Sequence, residues 1–278
     1  MQNPSDMKSA IAGVFDRSAA TYEQVGPEFF APMGRALVRR ADPRPGERLL
    51  DLGCGRGHCL FPAAEAVGPD GAVVGMDLAP SMVAATAAEA ARRGLDHVTV
   101  REGDAGDPPV GPGSFDVLTA GFVIFFLPDP AAGVRAWTRA LRPGGRLAIS
   151  TFERQDPGYE QTLKAIGAFV PDREEGGRQV PRPTERFDSA QTLTDVLAGN
   201  GFTDVRHEVE VFETRFTGPD QLWDWTLSHG GRGMVEQVPE DRLDEARAAA
   251  AEAAEVLRAP EGDLVLRTDA RFTTALRP

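Results

Sequence analysis

The sequence predicts a doubly wound α/β fold, and three observations carry that reading. Short apolar strand patterns alternate with helical patterns from residue 48 to residue 152. A glycine-rich loop joins the first strand of this series to its first helix. Three acids, Asp51, Asp77 and Asp104, stand at or just beyond the tips of three successive strands. A strand that returns parallel to its predecessor must cross over through a helix, so the alternation implies parallel pairing with right-handed crossovers.

The elements follow in order. Residues 7–20 read as an amphipathic helix, with Ile11, Val14, Phe15, Ser18 and Tyr22 on one face. A second helix follows Pro27, which suits its first turn, and has Phe29, Phe30, Met33 and Leu37 as apolar positions. Asp42–Gly46 breaks the chain. Arg48–Leu52 is a buried strand, Gly57–Val67 a helix, Ala72–Asp77 a strand, and Pro80–Arg93 a helix ended by Gly94. Val98–Arg101 and Phe115–Ala120 are strands, Pro130–Leu141 a helix, and Arg146–Phe152 a strand entered through Pro143-Gly144-Gly145. Beyond it the pattern predicts helices over Tyr159–Phe169, Ser189–Ala198, Gly218–Leu227 and Glu240–Leu257, with extended segments Val205–Phe212 and Ala270–Leu276.

Bulk properties narrow the function. The 278 residues fit one domain, 1–278, with a substantial insertion. Basic side chains number 30 against 42 acidic, a net charge of −12 that repels phosphate backbones and argues against a nucleic-acid partner. Cys54 and Cys59 have neither a disulfide framework nor a zinc spacing and read as small buried residues, so no metal is expected. Met1–Ala10 has no apolar signal segment, and the longest apolar run, Gly121–Leu127, is too short to span a bilayer. A cytoplasmic monomer or homodimer with no membrane partner is the expectation.

The loop Asp51-Leu52-Gly53-Cys54-Gly55-Arg56-Gly57 carries most of the functional argument. Gly53 turns the chain off the strand, Gly55 leaves room for a ligand against the backbone, and Gly57 lets the helix pack close. The spacing differs from the G-x-G-x-x-G of dinucleotide sites, and an acid stands inside the strand end. Asp51 can face an ammonium group. Asp77 can accept from both hydroxyls of a ribose, the plainer reading being a helix cap. Asp104 can accept from an adenine amino group while the Ala105 amide donates to the ring; the plainer reading is a turn.

Together LLDLGCGRG, VVGMDLAPSM, GDA, FDVLTAGFVIFFLPDP and LRPGGRLAIS resemble the class I S-adenosylmethionine-dependent methyltransferases, in the branch of ubiquinone-type and natural-product small-molecule enzymes. The resemblance covers residues 10–152. It implies a Rossmann-like seven-stranded sheet of order 3-2-1-4-5-7-6 with the last strand antiparallel. It also implies S-adenosylmethionine as cofactor and S-adenosylhomocysteine as product. By the resemblance Tyr22 touches the methionine carboxylate, the Gly121–Phe122 backbone meets the ammonium, and Leu78 and Met82 flank the adenosine. Residues 1–41 would close over a cofactor core, 42–152. Residues 153–187 and 213–260 would form a substrate lid, and 188–212 with 261–278 the rest of the core.

Methyl transfer is an in-line displacement that demands alignment and exclusion of water more than protein chemistry. The stretch after the fourth strand lacks the histidine of many relatives, so any base must come from elsewhere. His229 is the candidate base, against the plainer reading of a helix C-terminal histidine. His58, on the first turn after the glycine loop, could lie near the methionine end of the cofactor, the plainer reading being a partly exposed helix residue. Phe15, Phe29, Phe30, Phe126, Trp223 and Trp225 are candidates to line the substrate site, although two tryptophans two apart on a helix cannot face one pocket. The expected reaction is O-methylation of a small hydrophobic or aromatic molecule of secondary metabolism. The alternatives are C- or N-methylation, or a non-methylating reaction such as cyclisation.

Overall fold

The computed structural model describes residues 4–171, 187 and 189–278. Seven strands form one sheet: β1 (Arg48–Leu52), β2 (Ala72–Asp77), β3 (Val98–Glu102), β4 (Phe115–Gly121), β5 (Leu141–Arg154), β6 (Thr203–Phe216) and β7 (Leu264–Leu276). Their order is β3-β2-β1-β4-β5-β7-β6. The first five run parallel, and β7 is antiparallel to both β5 and β6.

Both faces of this sheet are covered, which is why its central strands read as continuous apolar runs. Leu49, Val73, Val117 and Ala148 join one core with α2 (Phe30–Ala41) and α3 (Leu60–Val67). Their neighbours Leu50, Leu118 and Leu147 point the other way, into a core with α5 (Pro130–Ala140) and α7 (Ala190–Ala198). Leu49, Leu50 and Leu52 are fully buried, each contributing about 1.5–3 kcal/mol. A Leu50→Ala change would cost about 2–5 kcal/mol. Asp129 begins α5 by accepting from the Ala132 amide at 2.9 Å, with Pro130 in the first turn.

Several boundaries move. The first helix, α1, spans Pro4–Ser18. Pro27 lies before α2 and not in its first turn, because α2 starts at Phe30. Residues 57–59 form turns and α3 begins at Leu60, so His58 belongs to the loop. The last two strands are far longer than their apolar centres, because both carry charged residues on alternate positions. The segment between them is therefore 217–263 rather than 213–260. It holds α8 (Pro219–Ser228), a short α9 (Arg232–Val235) and α10 (Leu243–Ala254), the last flanked by 3-10 turns. With α6 (Pro157–Gly167) these helices enclose a separate core of Ile166, Trp223, Val235, Val238, Ala246 and Ala250. Residues 172–186 of the expected lid segment 153–187 lie outside the described residues. No helix among the described residues is long and apolar enough to cross a membrane.

Candidate active site

A cavity of about 450 Å³ opens at the C-terminal ends of β1, β2 and β4, where the strand order reverses. Ligands bind at this switch point in open α/β sheets, because the loops diverge there. α1, the α1–α2 connection and the end of α8 close it from above.

The glycine loop forms its floor. Gly55 has φ +47° and no atom within 4 Å of where a Cβ would stand, so its backbone is open to a ligand. Gly57 does not line the cavity. A Cβ there would sit 2.4 Å from the Phe61 ring, so this glycine serves packing of the loop on α3. Tyr22, Asp51, Gly53, Cys54, Gly55, Asp77, Leu78, Met82, Asp104, Ala105, Gly121 and Phe122 all line the cavity.

The three acids differ in environment. Asp51 is buried; its Oδ1 accepts from Thr119 at 2.7 Å and its Oδ2 has no partner. Burial pushes its carboxyl up to about 7, against the Thr119 hydrogen bond and helped by nearby Asp77. Asp77 accepts from the Gly55 amide at 2.8 Å and the Ala79 amide at 2.9 Å, bridging the glycine loop to the start of α4 (Pro80–Arg92). Burial raises it, and those amides oppose the rise. Asp104 accepts from the Gly106 amide at 2.8 Å and pairs with the Lys8 ammonium from α1. The Ala105 carbonyl accepts from the Trp137 indole at 2.7 Å, which fixes this turn. Burial pushes the Cys54 thiol well up, so it is an inert part of the wall. At the tip of β4, Phe122 has φ +57° and donates its amide to the Ser150 carbonyl at 3.0 Å, and Gly121 and Phe122 both line the cavity.

The other half of the cavity is aromatic. Tyr22 stacks on Phe30 at 5.7 Å, and Phe30 meets Phe122 edge-on at 5.4 Å. Phe29 packs on Trp225 at 5.0 Å and Trp225 on Tyr159 at 5.7 Å. Phe15 meets Phe126 at 5.6 Å, on the side where Met82 and Ala79 pack. Of the two tryptophans only Trp225 lines the cavity. Trp223 points into the separate helical core, so it is not a substrate-lining residue. Burial and the charges of Glu23 and Asp77 hold the Tyr22 phenol well above its ordinary value, and burial lifts Tyr159 to about 12.

His229 lies in the cavity wall, yet as placed it has no free nitrogen. Its Nδ1 is 2.8 Å from the Trp225 carbonyl, and its Nε2 is 3.1 Å from Glu23 Oε1. It is the C-cap of α8, which matches the plainer of its two sequence readings. His58 departs from the plainer of its two readings: it lines the cavity, its Nε2 is buried without a partner, and burial lowers its pKa. The sequence offered no sign of Glu23, Lys8 or Tyr159 at this site, because no periodicity or spacing links them to the loop; Arg56 stands inside the loop, and only the fold decides that its side chain turns to the cavity.

Among the described residues, four that line the cavity each hold a buried polar atom without a protein partner: Asp51 Oδ2, Arg56 Nε, His58 Nε2 and Trp225 Nε1. A buried polar atom without a partner costs stability unless a ligand satisfies it. An unpaired acid beside two unpaired nitrogens, all around one glycine loop, fits the zwitterionic amino-acid end of S-adenosylmethionine. Asp77 fits its ribose, and Leu78 with Met82 an apolar purine.

Comparisons with known proteins agree. A family model described as a methyltransferase domain matches residues 43–181. Nocamycin O-methyltransferase from Saccharothrix syringae is 42% identical over 256 residues, covering 88% of this chain and 89% of that one. Aklanonic acid methyltransferase from Streptomyces sp. strain C5 is 37% identical over 210 residues, covering 73% and 96%. The crystal structure of the YcgJ protein from Bacillus subtilis shares the fold, with a TM-score of 0.59 at 18% identity over 88% of this chain and 98% of that one. The chain belongs to the class I S-adenosylmethionine-dependent methyltransferases, in their small-molecule branch.

Proposed function

We propose that this enzyme methylates an oxygen of a flat, largely apolar natural-product acid of secondary metabolism. The observation that carries the reading is the aromatic half of the cavity, where Phe29, Phe30, Tyr159 and Trp225 surround a single unpaired donor, Trp225 Nε1. The names of the two relatives support it: one is an O-methyltransferase, the other acts on aklanonic acid.

The cofactor supplies a methyl carbon activated by its positive sulfur. A lone pair of the acceptor oxygen forms the new C–O bond as the C–S bond breaks and its electron pair returns to sulfur. The chain's part is alignment and exclusion of water. Asp51, Arg56 and His58 hold the amino-acid end, Asp77 the ribose, and Leu78, Met82, Asp104 and Ala105 the adenine. Tyr22, Phe30 and Phe122 wall the transfer site, and α1, the α1–α2 connection and α8 serve as the lid. Both His229 nitrogens face protein acceptors, the Trp225 carbonyl and Glu23, and Tyr22 and Tyr159 hold their protons at neutral pH. These groups do not take a proton from the acceptor. An acid that is already ionised in water fits that wall, because it needs no base.

The test is incubation of the purified chain with methyl-labelled S-adenosylmethionine and three probes: an anthraquinone carboxylic acid, the matching phenol and the unsubstituted anthraquinone. Label appearing as an alkali-labile ester on the acid is the expected result. Label on carbon, or cofactor binding with no transfer to any probe while the unlabelled acid rearranges, would overturn it.

A further inference from the structure

Glu23 and His229 stand 206 residues apart in sequence and meet at 3.1 Å with both side chains almost fully buried. Each sits at the end of a helix whose partial charge it complements. Glu23 accepts from the amides of Phe29 at 3.1 Å and Phe30 at 3.1 Å, the otherwise uncapped N-terminus of α2. His229 follows the last residue of α8, where unpaired carbonyls accumulate. Its Nδ1 lies 2.8 Å from both the Trp225 carbonyl and Ser228 Oγ. The Ser228 hydroxyl donates to that same carbonyl at 2.7 Å, so toward the ring it can only accept. Both ring nitrogens therefore face acceptors.

The pair also holds the aromatic wall. The His229 ring lies 4.7 Å from Tyr22, 4.7 Å from Trp225 and 5.5 Å from Phe30. Glu23 itself has φ +54°, a conformation that a non-glycine residue keeps only where its surroundings hold it. The other ionisable groups near the pair are His58 and Tyr22.

We propose that Glu23 is a positioning residue of the acceptor site: acting through His229, it locks the end of α8 to the start of α2 and turns His229 into a two-proton donor that fixes the aromatic wall instead of a base. Burial works against the Glu23 charge, yet the His229 hydrogen bond, the nearby His58 and the α2 amides more than offset it and leave its pKa below the ordinary carboxyl value. The role rests on this cavity being the methyl-transfer site.

The experiment is nuclear magnetic resonance of the full chain labelled with nitrogen-15 in histidine, with the His229→Asn variant used for assignment. The expected wild-type spectrum at pH 7.5 shows protons on both nitrogens of His229. In Glu23→Gln the Nε2 proton signal is lost. A wild-type His229 with a bare Nε2 would overturn the proposal, and that reading does not depend on the variant folding. An unchanged His229 pattern in a folded Glu23→Gln protein would overturn it too. S-adenosylhomocysteine titration of the same wild-type sample reads the cofactor site separately, so its failure would count against the function and not against the pair.

Discussion

The Asp77 carboxylate accepts the Gly55 amide at 2.8 Å, so the acid at the tip of β2 holds the glycine loop that follows β1. A carboxylate has about four acceptor sites, and the Gly55 and Ala79 amides use two. Enough capacity remains for ribose hydroxyls. Asp77→Ala removes both the loop anchor and the ribose contact. It is expected to weaken S-adenosylhomocysteine binding at least about tenfold, one charge-assisted hydrogen bond being worth roughly 1.5–3 kcal/mol. Calorimetric titration checks this, and wild-type affinity in the variant would remove Asp77 from the site.

Asp51 makes cofactor binding depend on pH. Its folded value, about 7, lies above the ordinary 3.8. Its folded pKa is raised, so the neutral form stabilises the fold at low pH and that stability is lost as pH rises through about 7. The cofactor ammonium needs the ionised form. Affinity for S-adenosylhomocysteine should therefore rise about tenfold from pH 6 to pH 8, with a proton released on binding below pH 7. Titrations in buffers of different ionisation enthalpy measure the proton. In Asp51→Asn both the pH dependence and the release should vanish.

Gly53 and Gly55 separate fold from ligand. A Cβ on Gly53 would lie 2.3 Å from Val123 Cγ2, whereas one on Gly55 meets no atom within 4 Å. Gly55→Ala should cost about 1–2 kcal/mol for its left-handed backbone and should lose cofactor affinity out of proportion to that cost. Gly53→Ala should lower the melting temperature further. Equal loss of binding and stability in the two variants would contradict this division.

The two tryptophans should behave differently for the same reason. Trp223 is buried among Ile166, Val235 and Ala250, away from the cavity. Trp223→Ala should destabilise by about 3–5 kcal/mol, which denaturant unfolding measures. Trp225→Phe removes the unpaired Nε1 donor while keeping a ring. It should slow methylation of an acid probe about tenfold at unchanged S-adenosylhomocysteine affinity. A cofactor-affinity loss in that variant would place Trp225 at the cofactor instead.

The core of the fold was legible because each strand tip carries a local signature. β1 and β2 match their expected bounds, Arg48–Leu52 and Ala72–Asp77, since a buried parallel strand is a short apolar run between loop residues. The glycines and acids of the cofactor site are legible for the same reason: each lies within a few residues of a strand end, so sequence position determines spatial position. The full lengths of β6 and β7 were hidden, because Glu213, Arg215, Arg267 and Asp269 interrupt their apolar pattern while their backbones stay paired.

Tertiary structure alone decided the acceptor end. Whether Trp223 or Trp225 faces the cavity depends on how α8 is rotated against α6 and α10, and helical spacing says only that the two diverge. Glu23 and His229, like Lys8 and Asp104, meet because helices far apart in the chain converge over the same strand ends. Local residue patterns determine what binds at the strand tips, and the packing of distant helices determines which side chains close over it.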